Sequence, residues 1–208
     1  IVVTSLGAVS EVVRRVQAWG GVVFHDVINA HHAKKAADAG VDGIIAVANG
    51  AGGHAGTLNP FALVSEIRSF WDKTLLLAGC VNNGAQVLAA QAMGADLAYL
   101  GTRFIATRES AASDEYKQML LDARSEDIVY TPAVSGVPAS FMRRSLEQAG
   151  YDMAQLGRPG DVNYGQKLKP ADDEAKAWKT VWSAGQGVGT IRDLPTVADL
   201  CERLRSEY

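Results

Sequence analysis

Apolar and polar positions alternate along this chain between two rhythms. Short β-branched runs are followed by stretches in which apolar residues recur every three or four positions. Ile1–Leu6 (IVVTSL) reads as a strand, and Ser10–Gly20 as a helix with Val12, Val13, Val16 and Trp19 on one face and Gly20 as its stop. Gly21–Val27 (GVVFHDV) is the second strand, Ala30–Gly40 the second helix and Val41–Ala48 (VDGIIAVA) the third strand. After a glycine-rich turn come a helix over Asn59–Trp71, with Pro60 in its first turn, and a strand over Thr74–Gly79. A helix over Asn83–Ala95 and a strand over Asp96–Phe104 follow. The strands are nearly continuous apolar runs, as strands covered on both faces are. A β-α-β-α series of this kind predicts a parallel sheet with right-handed crossovers.

Beyond Phe104 the rhythm stops. Asp114–Arg124 reads as a helix, Asp127–Pro138 as an extended insertion, Ser140–Ala149 as a helix and Gly157–Asp173 as a polar loop. Ala175–Trp182 and Val197–Arg205 read as helices, with Ser183–Gly189 (SAGQGVG) between them. Trp178 and Trp182, four apart, are expected to anchor the first of these. Nothing marks a second domain, so residues 1–208 are read as one domain in which 105–175 forms a lid or insertion.

An open doubly wound sheet and a barrel both accommodate such units. The short even repeat, the polar and glycine residues at strand ends, and the small-residue endings AGC and LGT favour an α/β barrel of the TIM type. Such a barrel has eight strands in about 250 residues. Five are read here, which places the other three upstream of Ile1.

Composition narrows the partners. The chain is 48% hydrophobic and 21% charged with a net charge of −3, which fits a globular protein and lacks the basic footprint that nucleic acid or an anionic membrane demands. No apolar run approaches the roughly 18 residues of a membrane span, and no secretory leader pattern is visible. Cys80 and Cys201 form neither a disulfide framework nor a zinc pattern, so a reducing cytoplasm is the expected compartment.

The residues able to carry chemistry cluster at strand ends. His54, in AGGHAG, follows a strand, and Gly52 and Gly53 let its backbone approach a ligand closely or take φ > 0. An imidazole there could act as a base near neutral pH, or be an ordinary loop histidine beside turn glycines. LAGCVNNG and YLGTRF each end a strand in glycine, exposing N–H groups. Asn83 can cap the following helix, Thr102 adds a hydroxyl and Arg103 a charge, so the pair suits a phosphate; each alone is ordinary turn chemistry. His25 and Asp26 could line the same mouth or form a polar pair closing the barrel end. His31 and His32 begin a helix, where exposure or capping outweighs metal binding, and no metal-ligand spacing occurs. Tyr130 and Thr131 are lid candidates, and the loop holding Gln186 could fold over the mouth. Nucleophile-elbow motifs are absent.

In combination, GVDGIIAVANGAGGHAG, LLLAGCVNNGAQVLAAQAMGADLAYLGTRFIATRES and WSAGQGVG resemble the nitronate monooxygenase family, whose wider group includes enoyl reductases and NAD(P)H:quinone reductases. The resemblance implies a TIM barrel holding FMN without a covalent bond. It implies that the flavin phosphate sits on Gly79, Cys80 and Tyr99, Leu100, Gly101 and Thr102, that Gly52 and Gly53 lie against the cofactor, and that His54 is the catalytic base. The implied partners are a small-molecule substrate (a nitronate, a quinone or an enoyl thioester) and O₂ or NAD(P)H, with a homo-oligomer possible. Three departures stand out. Val47 takes a position where the family often has a flavin-contacting Gln. Cys80 replaces a glycine in AGG. The family's first strands lie upstream of Ile1. A flavin-free phosphate-binding lyase or isomerase barrel, and a non-catalytic flavin- or phosphate-binding protein, are the readings of other classes.

Overall fold

The computed structural model describes residues 1–154, 156 and 181–208. Among them the strands are β1 (Val2–Thr4), β2 (Val23–Val27), β3 (Gly43–Val47), β4 (Gly53–His54), β5 (Thr74–Ala78), β6 (Leu97–Tyr99), β7 (Ile128–Thr131) and β8 (Ala139–Met142). The helices are α1 (Ser10–Gln17), α2 (Ala30–Asp38), α3 (Pro60–Arg68), α4 (Gly84–Ala92), α5 (Thr102–Ile105), α6 (Asp114–Asp122), α7 (Arg143–Gln148) and α8 (Val197–Glu207). The chain divides into two compact units, one of residues 1–49, 56–100 and 203–208, the other of residues 50–55 and 101–202.

The first unit is a five-stranded parallel sheet in the order β1-β2-β3-β5-β6. Its parallel strands follow one another in chain order without the reversal that a doubly wound sheet needs, which is the barrel's progression. One device recurs. After α2 and α4 the chain turns through Gly40 (φ +86°) and Gly94 (φ +108°), buries Val41 and Ala95, and reaches Asp42 and Asp96. Asp42 accepts from Val23 N–H (2.8 Å) and donates its own N–H to Val23 C=O (2.8 Å). Asp96 does the same with Leu75 at the same distances. The repeated Gly-x-Asp thus fixes where β3 and β6 begin and their register.

Alternation along the strands separates two faces. Val23, Val27, Ile44, Ala46, Leu75 and Leu77 pack in one core with the apolar sides of α1 to α4. Phe24, Asp26, Ile45, Val47, Leu76 and Ala78 share the opposite face by register. The helices start where the sequence predicts, with Asn29, Asn59 and Asn83 capping α2, α3 and α4 through their side-chain oxygens.

The second unit is built on an antiparallel sheet, β4-β8-β7. Here the sequence reading needs correction. Ser140–Met142 is strand, not the start of a helix, because β8 is paired on both sides and all four of its residues are buried. The extended insertion resolves into a 3₁₀ turn, Ser125–Asp127, and β7. The strand predicted to run to Phe104 ends at Tyr99, and Thr102–Ile105 is a short helix after the break at Gly101. Ser183–Gly189 includes part of a 3₁₀ helix, Gln186–Thr190. Trp178, the whole of the predicted polar loop at 157–173 and the helix predicted from Ala175, apart from its last two residues, lie outside the described residues. Trp182 is not helical; it stacks on Tyr116, with ring centroids 4.9 Å apart and planes within 11°.

Candidate functional site

His54 sits on β4, a strand the sequence reading took for a turn. Its segment is held from several sides within the second unit. His54 pairs with Ala139 and Gly53 with Ser140 of β8. Tyr130 OH donates to the Ala55 carbonyl (2.8 Å), so the predicted lid tyrosine pins the residue after the histidine. Gln186 N–H donates to the Gly50 carbonyl (2.8 Å), which engages Gln186 through its backbone. A Cβ on Gly52 would lie 2.8 Å from Gly185 N and 2.9 Å from Ala184 C. Gly52 is therefore required by the close passage of two backbones, and Gly53 by its φ of +70°.

The imidazole is oriented by a residue the sequence reading missed. His54 Nε2 lies 3.3 Å from Ser135 Oγ, and the Ser135 hydroxyl donates to the Val137 carbonyl (3.0 Å). No local pattern around Ser135 announces this contact, since the two residues meet only through the pairing of β4 with β8. An imidazole held on a strand against a serine oxygen is a candidate for proton transfer near neutral pH.

In the first unit, the ends of β5 and β6 lie side by side, Ala78 opposite Tyr99. β5 runs into Gly79 (φ +122°) and Cys80 (φ +58°), a left-handed turn at which a non-glycine side chain is uncommon. Tyr99 is half-exposed on the sheet face opposite the helices, and Leu100 and Gly101 link β6 to α5. A Cβ built on Gly101 would meet nothing within 4 Å, so that backbone has open space beside it. Thr102 Oγ1 accepts from Gly185 N–H (3.0 Å).

Two of the groups considered for an anion are engaged within the protein, and Asn83 caps α4 as expected. Arg103 is buried and ion-paired with Asp193 (2.8 Å), and it also donates to the Asp193 carbonyl (3.2 Å), so its charge is spent within the fold. The start of α4 is answered by protein as well: Asn83 caps it, and Gly84 N–H donates to the Glu207 carboxylate (2.9 Å).

His25 and Asp26 part company. His25 lies on the helix-facing side of β2, almost fully buried, with Nδ1 2.7 Å from Thr4 Oγ1. Burial, and then the nearby His32, hold its pKa below the ordinary histidine value. Asp26 faces the other way with Ile45 and Val47, and burial pushes its carboxyl up to about 6. His31 and His32 are exposed at the start of α2, and no group of three or more metal-ligating side chains occurs among the described residues. No helix among them is long and apolar enough to cross a membrane.

These features agree with the similarities found to known proteins. The chain is 31% identical over 215 residues to a nitronate monooxygenase of Paraburkholderia phytofirmans, covering 95% of this chain and 57% of that protein. It is 26% identical over 238 residues to a (3aS,4S,5R,7aS)-5-hydroxy-7a-methyl-1-oxo-octahydro-1H-indene-4-carboxyl-CoA dehydrogenase of Rhodococcus jostii, covering 95% and 67%. The solved nitroalkane oxidase of Streptomyces ansochromogenes superposes with a TM-score of 0.77 at 30% identity, over 100% of this chain and 64% of that one. The chain thus spans 57% of the first relative's length and 64% of the superposed structure. The five parallel strands in chain order are accordingly a portion of a TIM-type α/β barrel. The nitronate monooxygenase family model matches residues 1–207, and with the strand-end histidine and glycine turns in their expected order, this chain belongs to the nitronate monooxygenase family.

Proposed function

We propose that the protein is an FMN-dependent oxidoreductase that oxidises alkyl nitronates with O₂, with His54 as its catalytic base. Family membership supports the oxidoreductase class. The observation that carries the reading is His54 itself, fixed on β4 with one ring nitrogen on Ser135. Bound FMN would supply the electron-accepting chemistry, and the protein's part is to bind, orient and manage the proton. The residues present fit such a group. The left-handed turn at Gly79–Cys80 stands beside the end of β6, and the space beside Gly101 is open. Gly79, Cys80 and Tyr99–Thr102 would hold the phosphate through backbone N–H groups. On a neutral nitroalkane, the α-proton would pass to the His54 imidazole as the nitronate forms; a nitronate supplied as such has already lost that proton, and His54 would then orient the anion.

A second reading, a reductase or dehydrogenase acting on a quinone or a CoA thioester, is favoured by the named activity of the Rhodococcus relative. An anaerobic absorbance titration separates the two. Flavin bands that bleach with an alkyl nitronate and ignore NADH and NADPH support the first reading. Bands that bleach with one nucleotide support the second. A protein that shows no bands after incubation with FMN rules out both. His54→Asn is expected to keep FMN and lose about 10²–10⁴-fold in rate on a neutral nitroalkane, the substrate whose α-proton must be removed. Full rate in that variant would remove His54 as the base.

A further inference from the structure

Among the described residues, the Asp26 carboxyl has one oxygen that no donor answers. Asp26 is the next-to-last residue of β2, at the C-terminal end of a parallel strand, where barrels of this class carry their chemistry. Val23, His25 and Val27 turn toward the helices, which leaves Asp26 with Phe24 on the opposite face. The residues set beside it on β3 and β5 are apolar. Ile45 is its register partner, Val47 follows two residues on, and Leu76 lies beyond Ile45. That unanswered oxygen, Oδ1, is buried and has no hydrogen-bond partner among the described residues. No ion pair among the described residues includes Asp26.

The contrast with the other aspartates of this sheet is sharp. Asp42 and Asp96 stand where strands begin and each closes a reciprocal pair of hydrogen bonds. Asp26 stands where a strand ends and closes none. It caps no helix either, since Asn29 performs that role for α2. An unanswered buried polar atom costs about 1–3 kcal/mol, and more when charged. A fold has no structural use for such an atom, and groups of this kind are common at functional sites.

We propose that Asp26 is a ligand-binding carboxyl that accepts a hydrogen bond from a neutral N–H or O–H donor on the bound molecule. The donor belongs either to the flavin (a ring N–H or a side-chain hydroxyl) or to the substrate. Only this choice of source rests on the flavoenzyme reading. A phosphate is excluded from this position, because it would face a carboxylate across an apolar wall.

The test compares wild type, Asp26→Asn and Asp26→Val. Val removes the unanswered oxygen and continues the apolar wall. The flavin-free Asp26→Val protein should therefore melt about 2–4 °C above wild type. A lower melting point would mean that the fold uses the carboxyl, and would overturn the proposal. FMN affinity is then read by quenching of flavin fluorescence. At least a tenfold weaker Kd in Asp26→Val, with a smaller loss in Asp26→Asn, assigns the donor to the flavin. Unchanged Kd with a tenfold rise in KM for an alkyl nitronate assigns it to the substrate. Both constants within twofold of wild type would overturn the proposal. If wild type itself takes up no FMN, the flavin reading falls, and the sign of the melting shift still decides Asp26.

Discussion

Ser135 and His54 meet side chain to side chain across 81 residues of sequence. The serine hydroxyl gives its one hydrogen to the Val137 carbonyl at 3.0 Å, so its oxygen receives the hydrogen of His54 Nε2 at 3.3 Å. That arrangement favours the Nε2–H tautomer of the neutral imidazole. The serine acts only through the histidine, as an orienting neighbour acts on a metal-bound histidine.

Replacing Ser135 with Ala should lower kcat about tenfold on the best substrate and leave KM nearly unchanged. Ser135→Thr, which keeps the hydroxyl, should restore most of the rate. FMN content should be the same in all three proteins. Steady-state kinetics decide the matter: an alanine variant with wild-type kcat would show that the tautomer is set by other means.

Two glycines next to the histidine make different demands. At Gly52 the space is taken by backbone, and Gly185 faces the reverse problem, since its own Cβ would lie 2.7 Å from the Gly50 carbonyl oxygen. Gly52→Ala and Gly185→Ala should each destabilise by about 1–3 kcal/mol through overpacking. At Gly53 no atom lies within 4 Å of a built Cβ and the cost is only that of φ +70°, about 1–2 kcal/mol. Denaturant midpoints read both losses. A Gly52→Ala or Gly185→Ala variant with the wild-type midpoint would contradict the close-passage account.

The sheet was legible in the sequence because both of its signals are local. Apolar runs mark strands, and the turn glycines with the Asn caps mark where helices stop and start, as at Gly40 and Asn83. The second unit was less so. Phe141 and Met142 lie in an apolar run that suits either a buried strand or a helix, and only pairing with β4 and β7 decides it. His54 and the glycines beside it could be singled out from composition at a strand end. Ser135 could not, being 81 residues away in sequence, and neither could the neutralisation of Arg103 by Asp193, 90 residues away.

Gly101 offers a clean test of the phosphate reading. Its φ of −117° is open to any residue, and a methyl group there would touch no protein atom within 4 Å. Gly101→Ala should leave the melting temperature of the flavin-free protein within about 2 °C of wild type. If the backbone at this turn carries the FMN phosphate, the methyl group should weaken FMN binding about tenfold or more. Equilibrium dialysis reads the second quantity and calorimetry the first. An alanine variant that binds FMN as wild type does would move the phosphate away from this turn.

Asp26 should leave a signature in the pH dependence of stability. Burial raises its folded-state pKa from an ordinary 3.8 to about 6. Below about pH 3.8 the carboxyl is protonated in both folded and unfolded chains and makes no difference. As pH rises from there toward about 6, the unfolded chain has released the proton while the folded chain still holds it, so the folded state loses ground. Above that window the full penalty of a buried charge remains. Asp26→Asn does not titrate and escapes this loss. The melting temperature of the Asn variant minus that of wild type should therefore be smallest near pH 4 and grow steadily toward about pH 7. His25, whose pKa is lowered by burial, pulls in the opposite sense, since a buried neutral histidine loses stability as pH falls. It is present in both proteins and drops out of the difference. A difference that stays flat across this range would mean that the carboxyl keeps an ordinary pKa, and that water reaches both of its oxygens.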